Sequence, residues 1–155
     1  MDLADALDLA DALGLDDGDD AEDEDGAEAG TVVAFVGAGG KKTAMARLVA
    51  AGRARDLRVG YTTTTHTPPP KSQDTGLDLD LFLADPDDLP GALPEGGPTP
   101  DEPLAFAAER VPDPDRAAEK VRGFDPSVID RLAATGRFDW LLVKADGARR
   151  REFKA

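Results

Sequence analysis

The chain has 155 residues, 41% of them hydrophobic, which suits one globular domain with a modest core. It has no cysteine, which excludes disulfides and cysteine-ligated metals. It also has no apolar run long enough for a transmembrane helix or a secretory signal, so we expect a cytoplasmic protein that does not bind membranes.

The net charge of −14 is unevenly distributed along the chain. Residues 1–30 contain 13 acids and no Lys or Arg, whereas the remainder contains 19 acids and all 18 basic residues. Because that remainder is nearly neutral and has no basic stripe, we expect no nucleic-acid binding. Asp outnumbers Glu by 24 to 8, which suggests a halophilic cytoplasm; a melting temperature that did not rise with added KCl would contradict this hypothesis.

The first 30 residues divide into two segments. "MDLADALDLADALGL" repeats the hexamer DLADAL at 2–7 and 8–13, and its apolar residues follow helical spacing. We therefore predict a short amphipathic helix over residues 1–14. The acidic, glycine-containing residues 15–30 are predicted to form a disordered linker. A folded α/β domain is predicted over residues 31–155.

A strand–loop–helix–strand pattern opens that domain. Thr31 to Val36 has the β-branched and aromatic content of a buried strand. Lys41 to Ala51 carries an apolar stripe and is followed by Gly52, a natural helix stop. Arg58 to Thr65 is predicted as a second strand. This order is a βαβ unit, which implies a parallel sheet.

The second half of the chain has fewer strong signals. After "TPPPKSQDTG" the sequence is rich in Pro, Gly and Asp up to Pro103, and only "LDLDLFLA" suggests a short edge strand. "PLAFAAERV" is a further strand candidate. A helix is predicted from Pro126 to Thr135, ended by Gly136, and then an apolar strand from Trp140 to Val143. The sheet would have four or five strands, with nothing after the last to cover its edge.

The glycine cluster in "VVAFVGAGGKKTAM" is the first candidate site. After a strand, Gly37, Ala38, Gly39 and Gly40 can turn backbone N–H groups toward an anion at a helix N-terminus, and Lys41 would add a charge on the β/γ oxygens. The usual spacing is G-x-x-x-x-G-K-[ST]. Phe35 stands five residues before Gly40, so this loop is shorter. The alternative is an ordinary glycine turn.

Lys42 stands where a hydroxyl would bind Mg²⁺. A protonated ammonium has no lone pair for a cation. Three alternatives follow: Thr43 supplies the hydroxyl, the metal is held elsewhere, or Lys42 neutralises phosphate and no tight metal is used.

Threonines end the second predicted strand in "YTTTTHTPPP". Thr62 to Thr65 would lie at the edge of the sheet where ligands bind in open α/β folds, and Thr64 and Thr65 are candidate nucleotide contacts. The alternative is that threonine is simply a good strand former. His66 is the only histidine, which excludes a multi-histidine metal site.

The third candidate is "LLVKADGARRREF", in which an apolar strand arrives at Asp146. A Walker B aspartate reaches Mg²⁺ in this way, so Asp146 is a candidate metal ligand and catalytic residue. The alternative is a turn-forming Asp-Gly pair. Arg149, Arg150 and Arg151 would clamp phosphates or an anionic partner, or form a solvated basic cluster.

Taken together, "VGAGGKKT", "TTTTH", "KVRGFDPSVID" and "KADGARRREFKA" resemble the YqeC-type family of selenium-dependent molybdenum hydroxylase accessory proteins. The resemblance implies a P-loop-NTPase-like fold that binds ATP or GTP, with Mg²⁺. It places the nucleotide loop at Gly37 to Lys41, a ligand-facing segment at Thr62 to Thr65 and a Walker-B-like pair at Asp146 and Gly147. Its implied partners are a molybdenum hydroxylase or the proteins that mature its cofactor.

Three departures from the family pattern are visible. The family commonly has Thr or Ser where Lys42 stands and an acid where Lys144 stands, and its members continue past this chain's last residues. The domain is therefore expected to be truncated at its C-terminus. The leading prediction is a nucleotide-binding accessory protein in which Lys41 and Asp146 act at the phosphates and the metal. The alternatives are a kinase-like phosphoryl-transfer enzyme that uses the same loop, or a non-catalytic, degenerate binding module.

Overall fold

The computed structural model describes residues 3–15, 29–37, 39–68, 79–112 and 120–145. Three helices and eight strands are described. The helices are α1 Leu3–Ala12, α2 Lys41–Ala54 and α3 Pro126–Ala134. The strands are β1 Thr31–Phe35, β2 Val59–Thr63, β3 His66–Thr67, β4 Leu81–Leu83, β5 Leu104–Ala107, β6 Glu109–Val111, β7 Lys120–Arg122 and β8 Trp140–Lys144. A short 3₁₀ helix spans Pro86–Asp88.

The main sheet has five strands in the order β1-β8-β2-β5-β4, and every neighbouring pair is parallel. The predicted α/β class with a mainly parallel sheet is thus confirmed. The strand that comes last in the chain, β8, lies in the middle, because it pairs with both β1 and β2. The edge strands of the described sheet are therefore β1 and β4, which confirms the edge position predicted for "LDLDLFLA".

Helices pack on both faces of this sheet and form two apolar clusters. On one face α1 and α2 pack over Val59, Trp140 and Leu142. On the other face α3 packs over Leu141 and Val143 in a cluster that also contains three phenylalanines. Each fully buried side chain of this size contributes about 1.5–3 kcal/mol. The predicted arrangement of a sheet flanked by helices is confirmed, and the N-terminal helix lies within the predicted range of residues 1–14.

The strand β1 is exposed, so the prediction of a buried first strand is wrong in this respect. Its exposed fraction is 40% at Val32, and Val33 and Phe35 are only half-buried, against the α2 cluster. The physical reason is its edge position, which leaves it a single strand neighbour among the described residues. The β-branched residues of β1 therefore indicate that the segment forms a strand, but they do not indicate that the strand is buried.

The helix α2 continues past Gly52 to Ala54, so the predicted stop is wrong. Gly52 faces the sheet, where an added Cβ would overlap Cγ2 of Val59 and lie 3.3 Å from Cε3 of Trp140. The glycine therefore permits close packing of the helix on the sheet. By contrast, α3 begins at Pro126 and ends before Gly136, whose φ is 67°, as the sequence predicts.

A second sheet, which the sequence did not predict, stands beside the carboxyl end of β2. It has three antiparallel strands in the order β3-β7-β6. The candidate strand "PLAFAAERV" is divided at Ala108, so that β5 joins the parallel sheet and β6 joins the antiparallel one. The turn between β2 and β3 contains Thr64 and Thr65.

Arg55, at the end of α2, holds α1 in place. Its guanidinium donates to the carboxylate of Asp11 at 2.6 Å and to the carbonyl of Leu15 at 2.6 Å, and it lies 5.7 Å from the ring centroid of Trp140. The N-terminal helix is therefore fixed to the α2 face. Within the described part of the chain, no helix is long and apolar enough to cross a membrane.

Arg58 and Asp139 form a pair at the amino end of β2 and β8. The Asp139 carboxylate accepts from the Arg58 amide at 2.7 Å and from its guanidinium at 3.0 and 3.2 Å. Burial alone would raise the pKa of Asp139, but the hydrogen bonds and charge of Arg58 outweigh it and lower that pKa. The same pairing raises the pKa of Arg58.

Replacing Asp139 by asparagine is expected to lower the free energy of unfolding at pH 7 by about 1 kcal/mol, a modest value because both side chains are partly exposed. Since the folded pKa of Asp139 lies below its unfolded value, its contribution is present above about pH 4 and is lost as the pH falls through the folded pKa. Urea denaturation from pH 7 to pH 2.5 measures this. The difference between the two proteins should shrink with acid, whereas D130N, at an exposed position on α3, should track the unmodified chain throughout.

Candidate functional site

A glycine-rich loop joins β1 to α2 at the carboxyl edge of the parallel sheet. Gly37, Gly39 and Gly40 have φ values of 97°, 79° and 72°, in the left-handed region that residues with a Cβ rarely adopt. Ala38 lies outside the described residues. The loop therefore has a backbone path that requires glycine at its three described positions.

The N-terminus of α2 is not capped by a side chain. Gly40 is the N-cap residue and can offer none, and no acidic residue stands in the first turn. The first bond within the helix runs from the Ala44 amide to the Gly40 carbonyl, at 2.9 Å. The preceding amides of an α-helix have no acceptor inside it, and the helix dipole adds positive potential there. This arrangement suits an anion.

The lysines of the first turn have different surroundings. Lys41 donates from Nζ to the carbonyl of Gly37, so its side chain bridges back over the loop. Lys42 follows and is half-buried. Thr43, the predicted hydroxyl ligand for a metal, has an exposed side chain. The predicted residues Gly37, Gly39 to Lys42 and Thr43 therefore lie together at the start of α2.

The threonines of β2 mainly hold the sheet together. Thr62 is buried and donates to the carbonyl of Phe106 at 2.7 Å. The Thr63 hydroxyl donates to the carbonyl of Lys144 at 2.8 Å and accepts from the amide of Thr65 at 3.1 Å. The structural alternative therefore accounts for Thr62 and Thr63. Thr64 and Thr65, the two candidate contacts, are half-buried and follow β2 at its carboxyl end.

The strands β1, β8 and β2 end at one level. Phe35, Lys144 and Thr63 are paired in register across the three strands, so the loop and the threonine turn leave the same edge of the sheet, on either side of β8. The predicted metal ligand Asp146 lies outside the described residues, as do Arg149 to Arg151, and their roles stay predictions. The carboxyl edge thus brings together the glycine loop, the threonine turn and Lys144.

Lys144 has a partner that the sequence did not indicate. Its Nζ donates to the hydroxyl of Thr67, a buried residue of β3, at 2.5 Å. Thr67 shares no motif with Lys144, and only the pairing of β3 with β7 places it there. His66, beside it, is exposed.

A small pocket with a volume of about 10 Å³, roughly the space of one water molecule, adjoins this edge. It lies between β2, β5 and β7, is lined chiefly by apolar atoms, and includes Tyr61 and Phe106. Burial raises the pKa of Tyr61 to about 12, so its hydroxyl stays protonated at neutral pH. The pocket is smaller than an ordinary small-molecule site and lacks charged walls, so it does not suit phosphate.

The fold and the site define an α/β protein with a glycine-rich loop that opens a helix at the carboxyl edge of a parallel sheet. Comparison with known proteins identifies the family. The chain belongs to the YqeC family, because the family model described as "YqeC protein" matches residues 33–155.

A curated relative supports this assignment. The chain is 35% identical over 126 residues to "Uncharacterized protein YqeC" of Escherichia coli (strain K12), which is 81% of the chain and 44% of the relative. The chain therefore spans less than half the length of this relative. No solved structure matches the chain.

Proposed function

We propose that this chain binds the phosphates of ATP or GTP in the glycine-rich loop, with a P-loop-NTPase-like arrangement of strand, loop and helix. We further propose that it acts as an accessory protein in the maturation of selenium-dependent molybdenum hydroxylases. The nucleotide part rests on the loop and the start of α2. The hydroxylase part rests on the family resemblance in the sequence motifs.

The observation that carries the nucleotide proposal is the uncapped N-terminus of α2 behind three left-handed glycines. Side chains at these glycine positions would meet no described atom within 4 Å, so the space in front of the loop is open. The amides before the first helical bond, the helix dipole and Lys41, whose ammonium group donates to the Gly37 carbonyl, all lie at this end of α2. These are the groups by which proteins bind phosphate.

Each residue has a role in this proposal. The amides of the loop and of the first turn of α2 bind phosphate oxygens, and Lys41 moves from the Gly37 carbonyl onto the β/γ phosphates. Thr64 and Thr65 approach the ligand from the end of β2, which is separated from β1 by β8. Asp146, two residues beyond β8, follows the strand that pairs with β1.

Magnesium does not fit the described part of the site. Mg²⁺ prefers oxygen ligands in near-octahedral geometry. Among the described residues of the edge, the oxygen donor expected from the sequence is the exposed hydroxyl of Thr43, while Lys42 and Lys144 bring ammonium groups. We therefore assign no step of the proposed function to a metal.

Titration of the purified chain with ATP and with GTP tests the nucleotide proposal. Lys41→Ala is expected to weaken binding at least tenfold, because a hydrogen bond to a charged group contributes about 1.5–3 kcal/mol and 1.4 kcal/mol corresponds to a factor of ten. Calorimetry measures both proteins. Arg53→Ala is the control, since Arg53 is exposed in the last turn of the same helix. Absence of binding by the unmodified chain would refute the proposal.

The hydroxylase role needs a separate test in cells. A strain that lacks the gene should lose selenium-dependent hydroxylase activity and regain it from the intact gene but not from one that encodes Lys41→Ala. Full hydroxylase activity without the gene would reject this role and leave nucleotide binding unaffected.

A second candidate is a binding module that does not hydrolyse nucleotide. It is favoured by Lys42 and Lys144, which stand where ligands of a hydrolytic metal would be expected. Nucleotide binding without release of phosphate would support this candidate over a phosphoryl-transfer enzyme.

A further inference from the structure

We infer that the site binds a free nucleotide di- or triphosphate rather than its magnesium complex, with the ammonium groups of Lys42 and Lys144 supplying the positive charge that the metal would otherwise bring. This inference rests on the proposed nucleotide function of the same site. It concerns the charge state of the ligand and the role of Lys144.

The position of Lys144 carries the first step. Its Cα is paired with Phe35 of β1, two residues before the glycine loop begins, and with Thr63 of β2. Along β8 its side chain falls on the same face as Leu142, because side chains alternate between faces. Leu142 packs in the cluster formed with α2. Lys144 therefore lies on the face of the sheet that carries α2 and at the edge from which the loop leaves.

The surroundings of Lys144 carry the second step. The residue is half-buried, and its Nζ donates to the Thr67 hydroxyl at 2.5 Å. Its own carbonyl accepts from the Thr63 hydroxyl at 2.8 Å. Hydrogen bonds of the Lys144 ammonium group and of its main-chain carbonyl thus fix the residue beside the threonine turn. Its positive charge therefore has a defined position.

The chemistry of the donors carries the third step. An ammonium group donates hydrogen bonds and cannot ligate a cation, and it repels one electrostatically. A polyphosphate, by contrast, gains from each added ammonium and from the dipole of α2. The first turn of α2 has no acidic residue that would offset the positive charge of Lys42 and of the helix dipole. A magnesium ion would lower the negative charge of the ligand that these groups attract.

Calorimetric titration with ATP in the presence of EDTA, and again with excess magnesium, tests the inference. The affinity of the unmodified chain should be equal or higher without the metal. Lys144→Glu should weaken metal-free binding by about tenfold or more and make binding stronger with magnesium than without. The control is Arg53→Glu, which changes charge equally at the far end of α2, about 18 Å from Lys41.

The outcomes separate this inference from the function on which it rests. If the unmodified chain binds ATP only with magnesium, this inference is wrong, but the proposed nucleotide binding is still supported. A chain that binds in neither condition refutes both. If Lys144→Glu melts too low to be titrated, Lys144→Gln removes the charge with nearly the same length. Its metal-free affinity should fall several-fold, and an unchanged affinity would overturn the role of Lys144.

Discussion

Alanine at position 123 is expected to destabilise the domain by about 3 kcal/mol or more, toward the upper end of overpacking effects. A Cβ on Gly123 would overlap the carbonyl group of Thr63 and lie 2.9 Å from the carbonyl carbon of Thr64. These are backbone atoms, which cannot rotate away as the end of a side chain can. The expected loss is a large part of the 5–15 kcal/mol that stabilises an ordinary domain.

The backbone around Gly123 has no freedom to yield. The amide of Gly123 donates to the Thr65 carbonyl at 3.0 Å, and the next amide, of Phe124, donates to the Thr63 carbonyl at 2.9 Å. On the other side the Thr64 amide donates to the Lys144 carbonyl at 3.1 Å. Moving either segment to admit a methyl group would break bonds that join β7 to the carboxyl edge of the main sheet.

Thermal and urea denaturation measure the effect of Gly123→Ala. A loss of 3 kcal/mol corresponds to a fall in melting temperature of about 6–12 °C for a chain of this length. Gly91→Ala is the matched control, because a Cβ there would lie 3.4 Å from the nearest atom, the Asp88 carbonyl oxygen, which is ordinary contact. The control should melt within about 2 °C of the unmodified chain. A Gly123→Ala protein as stable as the control would show that the β2–β3 turn can move.

The sequence predicts the local part of this fold well. The glycine loop, the start of α2 at Lys41 and the limits of α3 depend on neighbouring residues, and the structure has them where the patterns indicate. The alternation in "LDLDLFLA" correctly indicates an edge strand. These features follow from backbone preferences that act over a few residues.

Features that depend on residues far apart in the chain could not be predicted from the sequence in the same way. Strand order is a property of the whole sheet, so nothing local in Trp140–Lys144 shows that β8 lies between β1 and β2. The same limit explains Gly52, where close approach to Trp140 and not helix termination requires the glycine. It also explains Thr67, whose contact with Lys144 depends on the antiparallel sheet.

The backbone conformation of the candidate loop was predictable from its glycines, whereas the hydrogen bonds of the threonines were not. Gly37, Gly39 and Gly40 have left-handed conformations, as the glycine cluster between a strand and a helix indicates, and their contact with phosphate stays a prediction. The threonines illustrate the limit. Their spacing in the sequence could not show that the hydroxyls of Thr62 and Thr63 donate hydrogen bonds to the carbonyls of Phe106 and Lys144. Only the register of three strands separates these two from Thr64 and Thr65, which stay candidates for ligand contact.

The double substitution Gly39→Ala/Gly40→Ala is expected to weaken nucleotide binding by about 30-fold to 1000-fold, with little loss of stability. Both residues have left-handed φ values, and an added Cβ at either would meet nothing within 4 Å. The effect is therefore conformational rather than steric. In the free protein the exposed loop can relax to an ordinary backbone, and binding must then restore the left-handed path at about 1–2 kcal/mol per residue.

The matched control is Gly14→Ala/Gly96→Ala. These glycines have φ values of 67° and 71°, also have no atom within 4 Å of an added Cβ, and lie outside the loop. The control should lose as little stability as the loop variant, because its glycines are equally exposed, while its nucleotide affinity stays unchanged. Calorimetric titration and thermal denaturation of both double variants give the comparison. The loop variant and the unmodified chain could instead bind nucleotide with equal affinity. That result would show that the left-handed backbone of Gly39 and Gly40 does not present the amides to the ligand. A phosphate site built on that backbone would then have to be abandoned.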